Sequence, residues 1–133
     1  ISPEVIKENR KFIEKKVKNL NDQKIKQLAE SKKGKKQSYR ITDSKDYDRD
    51  EIVKEYALRR AKGNCQLCEN KAPFIKLNGQ PFLEVHHIKY LSKGGLDQID
   101  NVVALCPNCH RKIHSLELDN DIKKLRNLAK QTL

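Results

Sequence analysis

Four cysteines carry the plainest chemistry in the chain. They fall into two identical spacings, Cys65-Gln66-Leu67-Cys68 and Cys106-Pro107-Asn108-Cys109, with 37 residues between the pairs. Two thiolates separated by two residues can curl around one tetrahedral ion at about 2.3 Å, and a second pair completes the shell of a structural zinc. Two disulfides would need an oxidising compartment, for which the sequence carries no export signal, and a redox dithiol is not expected twice in one small chain. A site closed by Cys65, Cys68, Cys106 and Cys109 keeps no open coordination position, so it holds the fold and leaves any catalysis to other residues.

All four histidines, His86, His87, His110 and His114, lie between or just after these clips. His110 and His114 are four apart, so on a helix they project from one face about 6 Å apart along the axis, a spacing suited to gripping one ion. His86 and His87 are adjacent in a stretch that alternates as a strand, so their side chains point to opposite faces and must have different roles. If one of them reaches the ion held by His110 and His114, the other is left beside it as a base whose ordinary pKa lies near neutrality. A lone histidine is usually a surface or core-edge residue, but four gathered beside a rigid clip weigh against that reading. His114 keeps a plainer alternative, that of a helical side chain covering the zinc clip.

The elements that must position these residues can be read in outline. A helix capped by Asp48, with Asp50 and Glu51 in its first turn and Ile52, Val53, Tyr56 and Ala57 as its apolar face, ends at Gly63 and delivers the chain to Cys65. Residues 69–81 read as a loop or a short hairpin with Asn78-Gly79 as its turn. Residues 82–88 and 102–105 read as strands, with a Gly94-Gly95 loop between them. A helix follows from Cys109, and a last one starts at Asp119 or Asn120 with Ile122, Leu125, Leu128 and Ala129 on one face.

Residues 1–42 differ in kind, with thirteen Lys or Arg against five acids, most of the surplus in a chain of net charge +11. A helix started by Ser2-Pro3 and carrying Val5, Ile6, Phe12, Ile13, Val17 and Leu20 is expected there, then a second capped by Asn21. The run from Ser31 to Arg40, with Lys32, Lys33, Lys35, Lys36 and Arg40, is either a solvated linker or a phosphate-contacting strip. With 133 residues, 36% hydrophobic and 35% charged, one small core is expected, and a pI near 9.6 suits polyanions. No run approaches the roughly 18 apolar residues needed to span a bilayer. The expected setting is cytoplasmic with no membrane partner, and a chain that begins at Ile1 and lacks Met is expected to be a piece of a longer protein.

The run Leu83-Glu84-Val85-His86-His87-Ile88, then Gly94-Gly95, then Asp100-Asn101 through Cys106-Pro107-Asn108-Cys109-His110 to His114, resembles the HNH endonuclease family. The order His, Asn, His set within two cysteine pairs is what a plain zinc ribbon does not require. The stretch from Tyr47 to Phe74 is similar to the HNH domains of modification-dependent restriction enzymes, including those directed at 5-methylcytosine. The resemblance implies an α+β fold, a zinc-stapled ββα-metal nuclease core over residues 47–133, with a basic helical extension or linker over 1–46.

It also implies roles. His86 takes the place of the first metal ligand and His87 that of the general base that activates water. Asn101 matches the residue that fixes the loop and helps orient the base, while His110 matches the second metal ligand and His114 a ligand found in some members. Arg111, beside the site, is a candidate phosphate contact, as are the basic residues 32–40. Imidazole ligands tilt the catalytic ion toward Mn²⁺, Ni²⁺, Co²⁺ or Zn²⁺ over Mg²⁺, although availability can still favour Mg²⁺. The activity implied is metal-dependent hydrolysis of double-stranded DNA, with a structural Zn²⁺, a further recognition domain before Ile1, and a possible homodimer through residues 1–30. The rivals are a non-catalytic zinc module that binds nucleic acid and a homing or toxin-type HNH nuclease.

Overall fold

Local signals account for most elements of the computed structural model, which describes residues 3–32 and 51–133, with side chains from Lys11 onward. The Asp48 cap, the boundary at 46/47 and the basic residues Lys33, Lys35, Lys36 and Arg40 lie outside the described residues. Helix α1 spans Pro3–Lys18, α2 Asp22–Ser31 and α3 Glu51–Ala61. Strand β1 is Glu84–His87 and β2 Val102–Leu105, followed by α4, Pro107–Leu116, and α5, Asp119–Ala129. Asn21 caps α2 by accepting the Lys24 amide at 2.8 Å, and Pro107 starts α4, where its missing N–H costs nothing.

β1 and β2 pair antiparallel, with Glu84 opposite Leu105, His86 opposite Val103 and His87 opposite Val102. All four residues of β2 are buried, because both faces of this small sheet are covered. Val103 and Leu105 pack with Cys65, Leu67, Ile113, Leu125 and Ala129, which joins the first clip to α4 and α5. Val102 packs instead with Val53, Tyr56 and Ala57 of α3, Ile25 and Ala29 of α2, and Val17 of α1. Each fully buried residue of the size of Leu105, Leu125 or Tyr56 contributes on the order of 2 kcal/mol. Phe12 and Ile13 of the α1 stripe are exposed, since among the described residues α1 packs along the side carrying Val17.

Two buried polar side chains splice the elements together. Gln66 donates its backbone N–H to the Ala104 carbonyl at 3.0 Å, and its side-chain Oε1 accepts the Ala104 N–H at 2.9 Å, so the first cysteine pair is laid against β2 as a short third strand would be. Arg60 sends its guanidinium into the interior and donates to the carbonyls of Ile99, Val102 and Ala129 at 3.0, 2.6 and 3.0 Å. Burial lowers its pKa, and the Tyr56 ring lies 5.3 Å beneath the charge.

Candidate active site

The four cysteines converge at the end of α3 and the start of α4. Lys62 and Gly63 both have positive φ, 54° and 82°, and turn the chain out of α3 into the first pair, while β2 leads directly into the second. The four sulfurs are free thiols and all lie within 4.8 Å of one another, with Cys68 Sγ and Cys106 Sγ 4.0 Å apart. Tetrahedral zinc with Zn–S near 2.3 Å needs sulfurs about 3.8 Å apart, so the four are positioned to bind one ion after a small inward shift.

The acid–base character of the thiols supports the same ion. Burial pushes the Cys65 thiol up, but the backbone amides of Cys106, Cys68 and Leu67 pull it down further, to about 7. Burial raises Cys106 and Cys109, and charge on Cys65 raises both further. Once one thiolate forms, its neighbours resist ionising unless a cation shares the cluster, which is the position zinc fills.

The second constellation lies one helical turn beyond. His86, His110 and His114 each offer a ring nitrogen, all within 4.8 Å of one another. His86 points from β1 toward α4, its ring 5.2 Å from that of His110 and 4.9 Å from that of His114. Burial, then the neighbouring His110 and His114, hold the His86 pKa down to about 3, so its imidazole stays neutral and available as a ligand. His114 is lowered too, chiefly by burial.

His110 Nδ1 lies 3.1 Å from Glu84 Oε1 and its Nε2 lies 3.1 Å from His114 Nε2. Because the carboxylate can only accept, Nδ1 carries the proton and Nε2 presents a lone pair toward His114. This is the outer partner that ligating histidines ordinarily have. Tyr90 stacks on His114 at 5.1 Å and donates its hydroxyl to Glu117 at 2.9 Å, walling the cluster on the far side.

His87 leaves the strand on the other face, as adjacent strand residues must. Its Nε2 lies 2.7 Å from Asp97 Oδ1, and that carboxyl is almost wholly buried, its side chain 3% exposed. Asp97 sits in the loop between the strands, and Asn101 holds both ends of that loop. Asn101 Nδ2 donates to the carbonyls of Lys89 and Leu96 at 3.0 and 2.8 Å, and its Oδ1 accepts the Lys89 amide at 2.8 Å. Asn101 therefore touches the loop rather than His87. Gly95 completes the fold-back: a Cβ there would sit 1.9 Å from the Lys89 carbonyl oxygen, so only glycine permits the approach.

A cleft of about 320 Å³ is lined by His87, Asp97, Glu84 and His110, together with Lys54 and Lys76 and the acids Glu14, Glu51 and Glu55. His87 and one member of the imidazole cluster thus face the same space from opposite faces of β1. Arg111 is exposed on α4, near enough to lower the His114 pKa by its charge, and Lys32 is half-buried at the end of α2.

Sequence reasoning missed Glu84, Asp97, Gln66 and Tyr90. Glu84 was open to inference, because it lies two residues before His86 and so shares that strand face. Asp97 was not, since its place depends on the path of the Gly94-Gly95 loop.

The family model for the HNH endonuclease matches residues 65–116, the segment that holds both cysteine pairs and all four histidines. Residues 65–116 carry the HNH endonuclease domain match. Over 68 residues, 51% of its length, it is 54% identical to the type IV methyl-directed restriction enzyme EcoKMcrA of Escherichia coli, covering 24% of that protein. Over 39 residues, 29% of its length, it is 46% identical to anaredoxin of Nostoc sp., covering 51% of that one. The solved structure of the type IV phosphorothioation-dependent restriction endonuclease ScoMcrA superposes with a TM-score of 0.59 at 29% identity, over 82% of this chain and 21% of that one. The HNH domain is thus related to those of McrA restriction enzymes, and the chain spans about a quarter of their length.

Proposed function

We propose that this chain is the cleaving part of a modification-dependent restriction enzyme, a divalent-metal endonuclease acting on double-stranded DNA. The observation that carries this reading is the cleft in which the Asp97-held His87 faces His110 of the three-imidazole cluster. His86, His110 and His114 would hold the catalytic ion, one of Mg²⁺, Mn²⁺, Ni²⁺, Co²⁺ or Zn²⁺, and Cys65, Cys68, Cys106 and Cys109 the structural Zn²⁺. Three neutral imidazoles favour the later, borderline-soft ions of that set. When bound, the catalytic ion supplies Lewis-acid stabilisation of the phosphate oxygens.

The chain's own residues supply the remainder. Asp97 accepts the Nε2–H of His87, which leaves Nδ1 as the atom that can take a proton from water as that water attacks phosphorus. Asn101 is a positioning residue: it fixes the loop and hence Asp97. Glu84 keeps the proton of His110 on Nδ1, so Nε2 stays a donor to the ion. The products expected are a 5′-phosphate and a 3′-hydroxyl.

Lys54, Lys76 and Arg111, with Lys32, Lys33, Lys35, Lys36 and Arg40 of the basic segment, would contact the phosphate backbone. Such contacts position a duplex without choosing its sequence. Residues 1–46 would then act as a basic extension to an HNH unit over 47–133. Selection of modified DNA is assigned to a separate domain, in keeping with names that call two relatives methyl-directed and phosphorothioation-dependent and with the small share of each that this chain covers. Pairing of two copies would provide the second cut of a duplex, and a cytoplasmic site of action fits that substrate. No helix among the described residues is long and apolar enough to cross a membrane.

The test is incubation of zinc-loaded protein with methylated and unmodified duplexes over a panel of divalent ions. Cleavage by the parent chain and its loss by about 10²–10⁴-fold in His87→Ala, with DNA binding retained, support the reading. Absence of cleavage with every ion would leave a zinc module that only binds nucleic acid.

A further inference from the structure

Between the first cysteine pair and β1 the chain forms a small hydrogen-bonded hairpin that the proposed chemistry does not use. Ile75 and Pro81 form its bridge, Lys76 N–H donates to the Gln80 carbonyl at 2.7 Å, and Gly79 N–H closes the turn on the Lys76 carbonyl at 2.9 Å. Gly79 has φ of 86°, which the turn requires, and Asn78 Oδ1 accepts the Gln80 amide at 3.0 Å. At its base Phe74 and Phe82 stack with centroids 4.6 Å apart. Yet beside the exposed Lys76 and Asn78 it presents two large apolar side chains: Leu77 at the tip is 110% exposed, more than in an extended reference chain, and Ile75 is 62% exposed. A leucine held at the tip of a rigid, hydrogen-bonded turn has no role in the packing of the described residues.

The position of the hairpin indicates what would cover it. Lys76, Gln80, Pro81 and Phe82 line the same cleft as His87 and His110, so the tip stands at the rim of the cleft where a duplex would lie. A narrow tip here carries the cation Lys76 beside the aliphatic Leu77, with Asn78 Oδ1 accepting the Gln80 amide. It is well suited to entering a groove about 6 Å wide with phosphates on either side.

We propose that Leu77, supported by Ile75, is an apolar wedge that enters the minor groove of the duplex beside the scissile phosphate and unstacks a base step, bending the DNA into the cleft. This rests on the DNA reading given above. The rigidity of the hairpin lowers the ordering cost of insertion, since the backbone is already fixed in the free protein. Ile75 would cover the opened step, and Lys76 would lie against one phosphate wall of the groove.

The test uses the full chain with zinc bound, in a His87→Ala background so that DNA stays intact, and short duplexes with 2-aminopurine placed at successive positions. On binding, fluorescence is expected to rise at one or two adjacent steps. Leu77→Ala should abolish that rise and weaken binding about tenfold, whereas Leu118→Ala, an exposed leucine outside the cleft, should change neither. An unchanged circular dichroism melt of the Leu77 variant would show that folding is intact. Tight binding without any rise, or a rise that survives Leu77→Ala, would overturn the wedge while leaving the nuclease reading standing. A parent that neither binds nor cuts DNA would overturn both. A change in sedimentation of Leu77→Ala without DNA would identify the tip as a self-association surface and likewise overturn the proposal.

Discussion

The thiol cluster and the imidazole cluster share α4 and differ in nearly everything else. Cys65 and Cys109 are buried, four like donors close a tetrahedron, and backbone amides point at the sulfurs. The imidazole cluster has three donors, His114 is exposed, and His110 opens onto a cleft of about 320 Å³. A closed shell of charged ligands belongs to folding, and an incomplete shell of neutral ligands at a surface belongs to exchange with solvent and substrate. Cys109 and His110, the third and fourth residues of α4, with His114 one turn further on, thus let one helix present members of both clusters.

That contrast is broken most forcefully at the thiols. Cys109→Ser, or removal of zinc by a chelator, should unfold the residues around both clips, because structural zinc contributes on the order of 10 kcal/mol to such folds. Loss of the cooperative thermal transition is the readout, and a retained transition would mean that the helices and sheet stand without the ion. His110→Ala should do the reverse, lowering cleavage by about 10²–10³-fold while the melting temperature stays within a few degrees. A collapse of stability there would erase the distinction between the two clusters.

Acid should separate the clusters by protonation. His86 has its pKa depressed to about 3 from an ordinary value of 6.5, so the unfolded chain binds its proton first. In metal-free imidazole sites, stability should be full above pH 6.5 and fall steadily as pH drops toward 3, and thermal melts against pH would record the slope. His86→Asn should flatten it. Asp97→Asn is expected to lower cleavage about 10- to 100-fold with a smaller change in stability, measured in single-turnover assays and melts. The smallest effect is at the rim: Lys76→Gln should reduce the slope of log affinity against log salt by roughly one phosphate contact.

What could be read in the residues beforehand was whatever depends on short separations. Cys-x-x-Cys loops, the opposed faces of His86 and His87, and the pairing of His110 with His114 along a helix all follow from spacings of four residues or fewer. The Gly-Gly turn and the Asn21 cap were legible for the same reason. Contacts set by the path of the whole chain were not. Asp97 reaches His87 only because Gly95 lets the loop fold back on Lys89 and Asn101 ties it there. Gln66 meets Ala104 across 38 residues. The α1 stripe had the helical period, yet period alone cannot say which side finds a neighbour, and Phe12 and Ile13 found none among the described residues.

Arg60 ties the chain's far end to the region that carries Asp97. Its guanidinium gathers carbonyls from Ile99, Val102 and Ala129, and a fourth from Gln131 at 3.4 Å. Shortening the C-terminus by five residues would withdraw two of those oxygens and strand a cation in the interior, immediately behind Asn101. Residues 129–131 are therefore a keystone for the loop in front of them, and a fusion or truncation made there would be felt at His87.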